Sequence, residues 1–129
     1  SKARIKGLSK YIKDNDKKLQ LLQVIPVFSL NDDGLNGSKI KMPFAQQRYG
    51  GISLVWGYNE AVSIGAIKSL LEGQSSNLTP GKSFFSGGID WTPAAIEMVD
   101  SGEMAYTFGG HYMDGGWSFL VVYDYLNGK

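Results

Sequence analysis

Three times in 129 residues an apolar, β-prone run ends at a glycine or aromatic, passes one polar residue and enters a helix start. The passages are ISLVWGYN-EA, turning at Asn59, SFFSGGID-WTP, turning at Asp90, and MAYTFGG-HYMD, turning at His111. Strands that alternate with helices at this spacing are joined by right-handed crossovers into a parallel sheet. The sequence therefore predicts an α/β fold: a doubly wound, mainly parallel sheet with flanking helices. In such a sheet Asn59, Asp90 and His111 fall side by side along the carboxyl edge of the strands. That edge is where open α/β sheets bind ligands.

Composition narrows the ligand. A formal net charge of +1 leaves no electrostatic footprint for DNA, RNA or an anionic membrane surface. The lysines gather in KARIKGLSKYIKDNDKK, interleaved with Asp14 and Asp16, which is the pattern of a solvated helix face. The absence of cysteine excludes disulfides, a thiol nucleophile and a cysteine zinc site, and suits cytoplasm or periplasm. One histidine leaves any metal site to carboxylates, and none has ligand spacing. The Gly-Gly pairs form no G-x-G-x-x-G phosphate loop, so no cofactor is expected. No apolar run is long enough to span a bilayer, and no signal peptide heads the chain. A chain opening SKARIKG is read as one that has lost a leader or been cut from something larger.

Along the chain, residues 3–19 read as an amphipathic surface helix on Ile5, Leu8, Ile12 and Leu19. LQLLQVIPVF, residues 19–28, is a continuous apolar run, the mark of a strand buried on both faces. Residues 29–50 read as a long loop with a short helix within 38–47. Residues 52–56 are strand, and Asn59 caps a helix through Leu71 with the stripe Ala61, Ile64, Ile67 and Leu71. After the turn-rich GQSSNLTPGK, residues 83–87 are strand. Thr92-Pro93 is an N-cap and first-turn pair for a helix ending near Gly102. Residues 103–108 are strand, and 112–126 form a helix stopped by Asn127-Gly128.

These motifs resemble the ligand-binding lobe of the periplasmic sugar-binding proteins of ABC transporters, in the ribose- and galactose-binding group. The resemblance is carried by Arg4-x-x-Gly7-Leu8, by Trp56-Gly57-Tyr58-Asn59-Glu60-Ala61 with Gly65-Ala66 behind it, and by Gly88-Ile89-Asp90-Trp91-Thr92-Pro93. Asp100-Ser101-Gly102-Glu103-Met104-Ala105 and Tyr125-Leu126-Asn127-Gly128 complete it, in family order. It implies the type 1 periplasmic-binding-protein fold and a small carbohydrate ligand. It implies that Asn59 and Asp90 bond sugar hydroxyls, that Phe28 lies where an aromatic stacks on the ring, and that Tyr58 joins the site. A polar residue usually follows the last strand; here Gly110 stands there, with His111 next to it. The implied partners are a membrane permease, a chemoreceptor or a sensor kinase, and the implied location is the periplasm. Effector domains of lac-repressor-like regulators share the fold, but usually carry a Pro-Pro-Leu-Thr-Thr run where this chain has Ser101-Gly102-Glu103-Met104-Ala105-Tyr106-Thr107.

Each site residue has a plainer role beside the binding one. Asn59 is a favoured N-cap, and an amide can cap and contact a ligand together. Asp90 is freer, because Thr92 already caps the next helix, and its carboxylate can accept two hydroxyl donors. His111 reads equally as a surface residue and a ligand contact. Trp91 either fills core or packs against the C–H face of a pyranose, whereas Trp56 and Trp117 read as packing. Catalysis would need Asp90, His111 and Glu60 as acid–base groups or Ser86 as nucleophile. No G-x-S-x-G elbow or paired-carboxylate spacing supports it, so the chain is read as a non-enzyme. A docking role toward other proteins is the stronger rival.

Family members clamp the sugar between two lobes, and this chain is expected to be one α/β lobe over residues 1–129, a C-terminal lobe fragment. The resemblance implies a missing strand before the Arg4 helix. It also implies that the helix over 112–127 belongs to the second lobe, reached by a hinge near Gly109-Gly110. A homodimer exchanging these elements is the expected way to fill such gaps.

Overall fold

The apolar runs before Asn59, Asp90 and His111 pair with one another in parallel. A computed structural model describes residues 2–15, 18–27, 34–73 and 77–129. In chain order its elements are α1 (Lys2–Asn15), α2 (Leu35–Tyr49), β1 (Leu54–Trp56), α3 (Glu60–Glu72), β2 (Phe85–Asp90), α4 (Pro93–Asp100), β3 (Tyr106–Gly109) and α5 (Asp114–Leu126), with a 3₁₀ turn over His111–Met113 before α5. The sheet runs β1-β2-β3, with Trp56 opposite Gly87 and Asp90 opposite Gly109. This is the α/β, parallel-sheet architecture that the spacing predicts.

The core lies where α3 and α4 meet the sheet. Phe84, Ile67, Leu70, Ala95 and Met104 are essentially sealed from water and cluster with Met42 of α2. Burying each larger side chain contributes about 1.5–3 kcal/mol. Small residues let the layers close. A Cβ on Gly65 would lie 2.1 Å from the Leu35 carbonyl oxygen, so glycine is what allows α2 and α3 to cross this tightly. Ser63, buried in α3, accepts the Gly57 N–H at 3.0 Å and donates to the Gly87 carbonyl at 2.6 Å. One hydroxyl thereby joins the end of β1, the helix behind it and the middle of β2.

Several boundaries and faces differ from the sequence reading. The first helix ends at Asn15. Residues 19–27 form no strand, and Val27 alone among them is buried. Among the described residues the apolar run has no ladder partner, and Pro26 has no N–H to give to one. The loop expected over 29–50 contains the fifteen-residue helix α2, longer than the short helix predicted. Its buried face, Ser38, Met42 and Ala45, keeps the i, i+4, i+7 spacing, but with small or weakly apolar residues that conceal the stripe. Gly37 and Pro43 obscure it further. On α3 the buried residue is Leu70, not Leu71. Trp117 does not pack: it is exposed, as is every residue of α5, including Phe119, Leu120 and Val121.

Candidate functional site

β2 and β3 end in register, so the turns that follow them meet at the carboxyl edge. His111 Nε2 lies 3.0 Å from Asp90 Oδ1, with both side chains partly exposed. The sequence predicts these two residues for the same edge, and the fold brings them into contact across twenty intervening residues. Trp91, next to Asp90, is 49% exposed. Asn59 begins α3 two residues beyond Gly57. Its Oδ1 accepts the Val62 N–H at 3.0 Å, so the capping role is present in the geometry.

The turn that displays Asp90 and Trp91 is strained. Asp90 has φ 154° and Trp91 φ 65°, both in the region that favours glycine. Such conformations cost about 1–3 kcal/mol per residue and persist only where neighbours enforce them. Two neighbours do. Gly109 leaves the space that Trp91 occupies: a Cβ there would fall 1.9 Å from Trp91 Cβ. Glu60, at the start of α3 and with none of its surface exposed, is the other.

The Glu60 carboxylate is saturated with donors. Oε1 accepts the Trp91 N–H at 2.7 Å and the Thr107 hydroxyl, and Oε2 accepts the Thr92 N–H at 2.8 Å and the Thr92 hydroxyl. Burial alone would raise its pKa. The hydrogen bonds from Thr107, Thr92 and Trp91 outweigh that and hold it below its ordinary value of 4.5. Gly88 makes the approach possible, since a Cβ there would come within 3.0 Å of Glu60 Cα and Cγ. In the sequence Glu60 stands only as a conceivable acid–base group. The better signal was a carboxylate directly after an N-cap asparagine, at the head of an otherwise apolar helix.

The remaining candidates lie apart. Tyr58 lines a different feature, an apolar groove of about 440 Å³ that also takes in Leu8, Leu22, Val24, Leu54 and Trp56. Arg4 of α1 donates to the Tyr58 carbonyl and ties that helix to the β1–α3 turn. Phe28 lies outside the described residues. Ser86, the conceivable nucleophile, is 1% exposed inside β2, and Glu60 is equally shut in, so neither can meet a substrate. Among the described residues no group of three or more His, Asp or Glu side chains could hold a metal ion. No helix among them is long and apolar enough to cross a membrane.

No protein-family profile matches the chain, and no curated protein matches it. Among solved structures, the crystal structure of a periplasmic sugar-binding protein from Pseudomonas fluorescens is similar, with a TM-score of 0.81 at 21% identity. The match covers 98% of this chain and 36% of that one. The likeness shows the fold: this chain is built like one part, about a third, of a periplasmic sugar-binding protein.

Proposed function

We propose that this chain is a sugar-binding lobe of a periplasmic solute-binding protein serving an ABC-type transport system. The observation that carries the reading is the carboxyl edge itself. There a carboxylate, an imidazole and a half-exposed indole, Asp90, His111 and Trp91, converge in a fold shared with a periplasmic sugar-binding protein. Planar polar groups hold sugar hydroxyls, and an aromatic face covers the C–H face of a ring. Asp90 accepts two hydroxyls, Trp91 stacks, and Asn59 and His111 complete the edge, with Phe28 as an outlying contributor, whereas Tyr58 belongs to the separate groove beside β1. The chain binds and does not turn over its ligand.

The same reading treats the chain as one lobe of a two-lobe clamp that closes by hinge motion. The groove beside β1 takes the strand implied before α1, and α5 packs on a second lobe or on another copy. With half of the contacts, the isolated lobe binds sugar weakly, on the order of millimolar. The assembled protein works in the periplasm, where its closed form is read by a permease or by a chemoreceptor or sensor.

An amide and indole NMR titration of the chain with hexoses, pentoses and inositols tests this. The expected result is a set of shifts converging on Asn59, Asp90, Trp91 and His111 for one sugar class, and lost in Asp90→Ala. Silence at tens of millimolar, roughly the ceiling for a half-site, would overturn the binding assignment.

A further inference from the structure

Asp90 and Trp91 reach the edge through a turn that their own backbones disfavour, so something must hold that turn open toward a ligand. We infer that Glu60, itself out of reach of any ligand, is the positioning residue of the site: it sets the pose of Asp90 and Trp91 by gathering the backbone of their turn onto one buried carboxylate. The inference rests on the sugar-binding reading above and names the part of the molecule that makes that edge competent.

The geometry leaves Glu60 little other work. It touches no solvent, and its oxygens accept from the Trp91 and Thr92 N–H groups at 2.7 and 2.8 Å and from the hydroxyls of Thr92 and Thr107. Two successive amides, of Trp91 and Thr92, converge on this one carboxylate, and the backbone that aims them has positive φ at Asp90 and Trp91. With the Trp91 amide turned inward, its side chain is carried outward, to 49% exposure, across the end of β3 at Gly109. Thr107 adds a fixed point on β3, so the carboxylate bridges both strands that supply the site.

Asn59 belongs to the same arrangement. It directly precedes Glu60, and its side-chain oxygen caps α3 at the Val62 N–H. The capped helix start that presents Asn59 therefore also carries the carboxylate that holds the Asp90–Trp91 turn. Groups from two strand ends are set relative to one another by a single side chain, which explains why a fully buried carboxylate stands here and not an apolar residue. A buried carboxylate is costly unless its acceptor capacity is filled, and here it is filled by the site's own backbone.

The test uses the 129-residue chain with D-glucose, D-galactose, D-ribose and myo-inositol as probes. In wild type, lowering the pH to protonate Glu60 is expected to shift the Trp91 and Thr92 amide signals together, with one midpoint. Both amides staying still through that transition would overturn the inference, whether or not any sugar binds. In Glu60→Gln the two amides and the Trp91 indole move at neutral pH, and affinity for whichever sugar wild type takes falls about tenfold or more. Thr107→Val removes a hydroxyl and leaves both amide bonds, so its amide shifts and affinity stay near wild type. A folded Glu60→Gln chain with unchanged affinity would overturn the positioning role. If wild type ignores all four sugars, the sugar reading fails, while the amide titration still decides whether Glu60 holds the turn. If Glu60→Gln does not fold, the wild-type titration and a folded Asp90→Asn chain, losing sugar with its Trp91 and Thr92 amides unmoved, separate positioning from contact.

Discussion

His111 Nε2 stands 3.0 Å from Asp90 Oδ1, although Asp90 ends β2 and His111 lies in the turn after β3. The contact follows from sheet register: Asp90 pairs with Gly109, and a left-handed Gly110 turns the chain back so that the imidazole faces the carboxylate. Both side chains are partly in water, where such pairs contribute less than about 1 kcal/mol. His111→Gln is therefore expected to change unfolding free energy by less than that, measured in urea. Its effect belongs to ligand binding: sugar-induced shifts at Asp90 should weaken while the melt stays put. A large loss of stability would instead make the pair a structural clasp.

Gly109 and Gly110 make opposite demands, which gives a sharp comparison. At Gly109 a Cβ would meet Trp91 Cβ at 1.9 Å and the Asp90 carbonyl at 2.5 Å, and backbone cannot yield as a flexible side chain can. Gly109→Ala should cost about 3 kcal/mol or more and displace the Trp91 indole signal. Gly110 has open space around it but φ 98°. Gly110→Ala should cost only about 1–2 kcal/mol of backbone strain and leave Trp91 where it is. Equal effects on the indole would mean that Gly109 does not shape the site.

The parts legible in the sequence were those where periodicity and turn chemistry agree. Asn59 and Thr92-Pro93 mark helix starts by their own hydrogen-bonding, and the structure uses both as caps. The apolar runs before Asp90 and His111 are adjacent parallel strands, each followed by a turn and a helix start at the predicted spacing. The length of α2 is hidden in the sequence because its buried positions are Ser38, Met42 and Ala45, which suit close approach to α3 more than hydrophobicity. Residues 19–27 are the converse: their composition suits a strand, but strand formation depends on a partner edge that composition does not encode. The role of Glu60 was invisible because its four donors come from residues 31 to 47 positions away.

Two buried serines should respond oppositely to the same substitution. Ser63 Oγ is bonded to both the Gly57 N–H and the Gly87 carbonyl, which also bond each other at 3.1 Å, so Ser63→Ala removes two buried hydrogen bonds but leaves that backbone pair satisfied. The expected loss is about 1–2 kcal/mol. Ser86 Oγ is buried with no hydrogen-bond partner among the described residues, so Ser86→Ala removes only an unrewarded polar atom. That change should be neutral or stabilising by up to about 1 kcal/mol. Urea unfolding of the two variants side by side measures the difference, and a destabilised Ser86→Ala chain would show that its hydroxyl has a partner after all.

Acid should act on this fold through Glu60, with a definite sign. Its folded pKa lies below the ordinary 4.5, because hydrogen bonds to the charged form outweigh the burial that opposes it. A group depressed on folding adds stability that is complete above the unfolded value. That stability drains away as pH falls below 4.5 and is gone once pH passes under the folded value. Glu60→Gln mimics the neutral form, since its amide points a donor at groups that are themselves donors. The variant should be less stable than wild type by about 2–3 kcal/mol at neutral pH, with no change in that gap down to about pH 5. Below that the wild-type curve should descend toward the variant's and meet it. Urea midpoints of both chains from neutral pH into the acid range measure the convergence, and parallel curves throughout would mean that Glu60 keeps the same protonation state in the folded and unfolded chain.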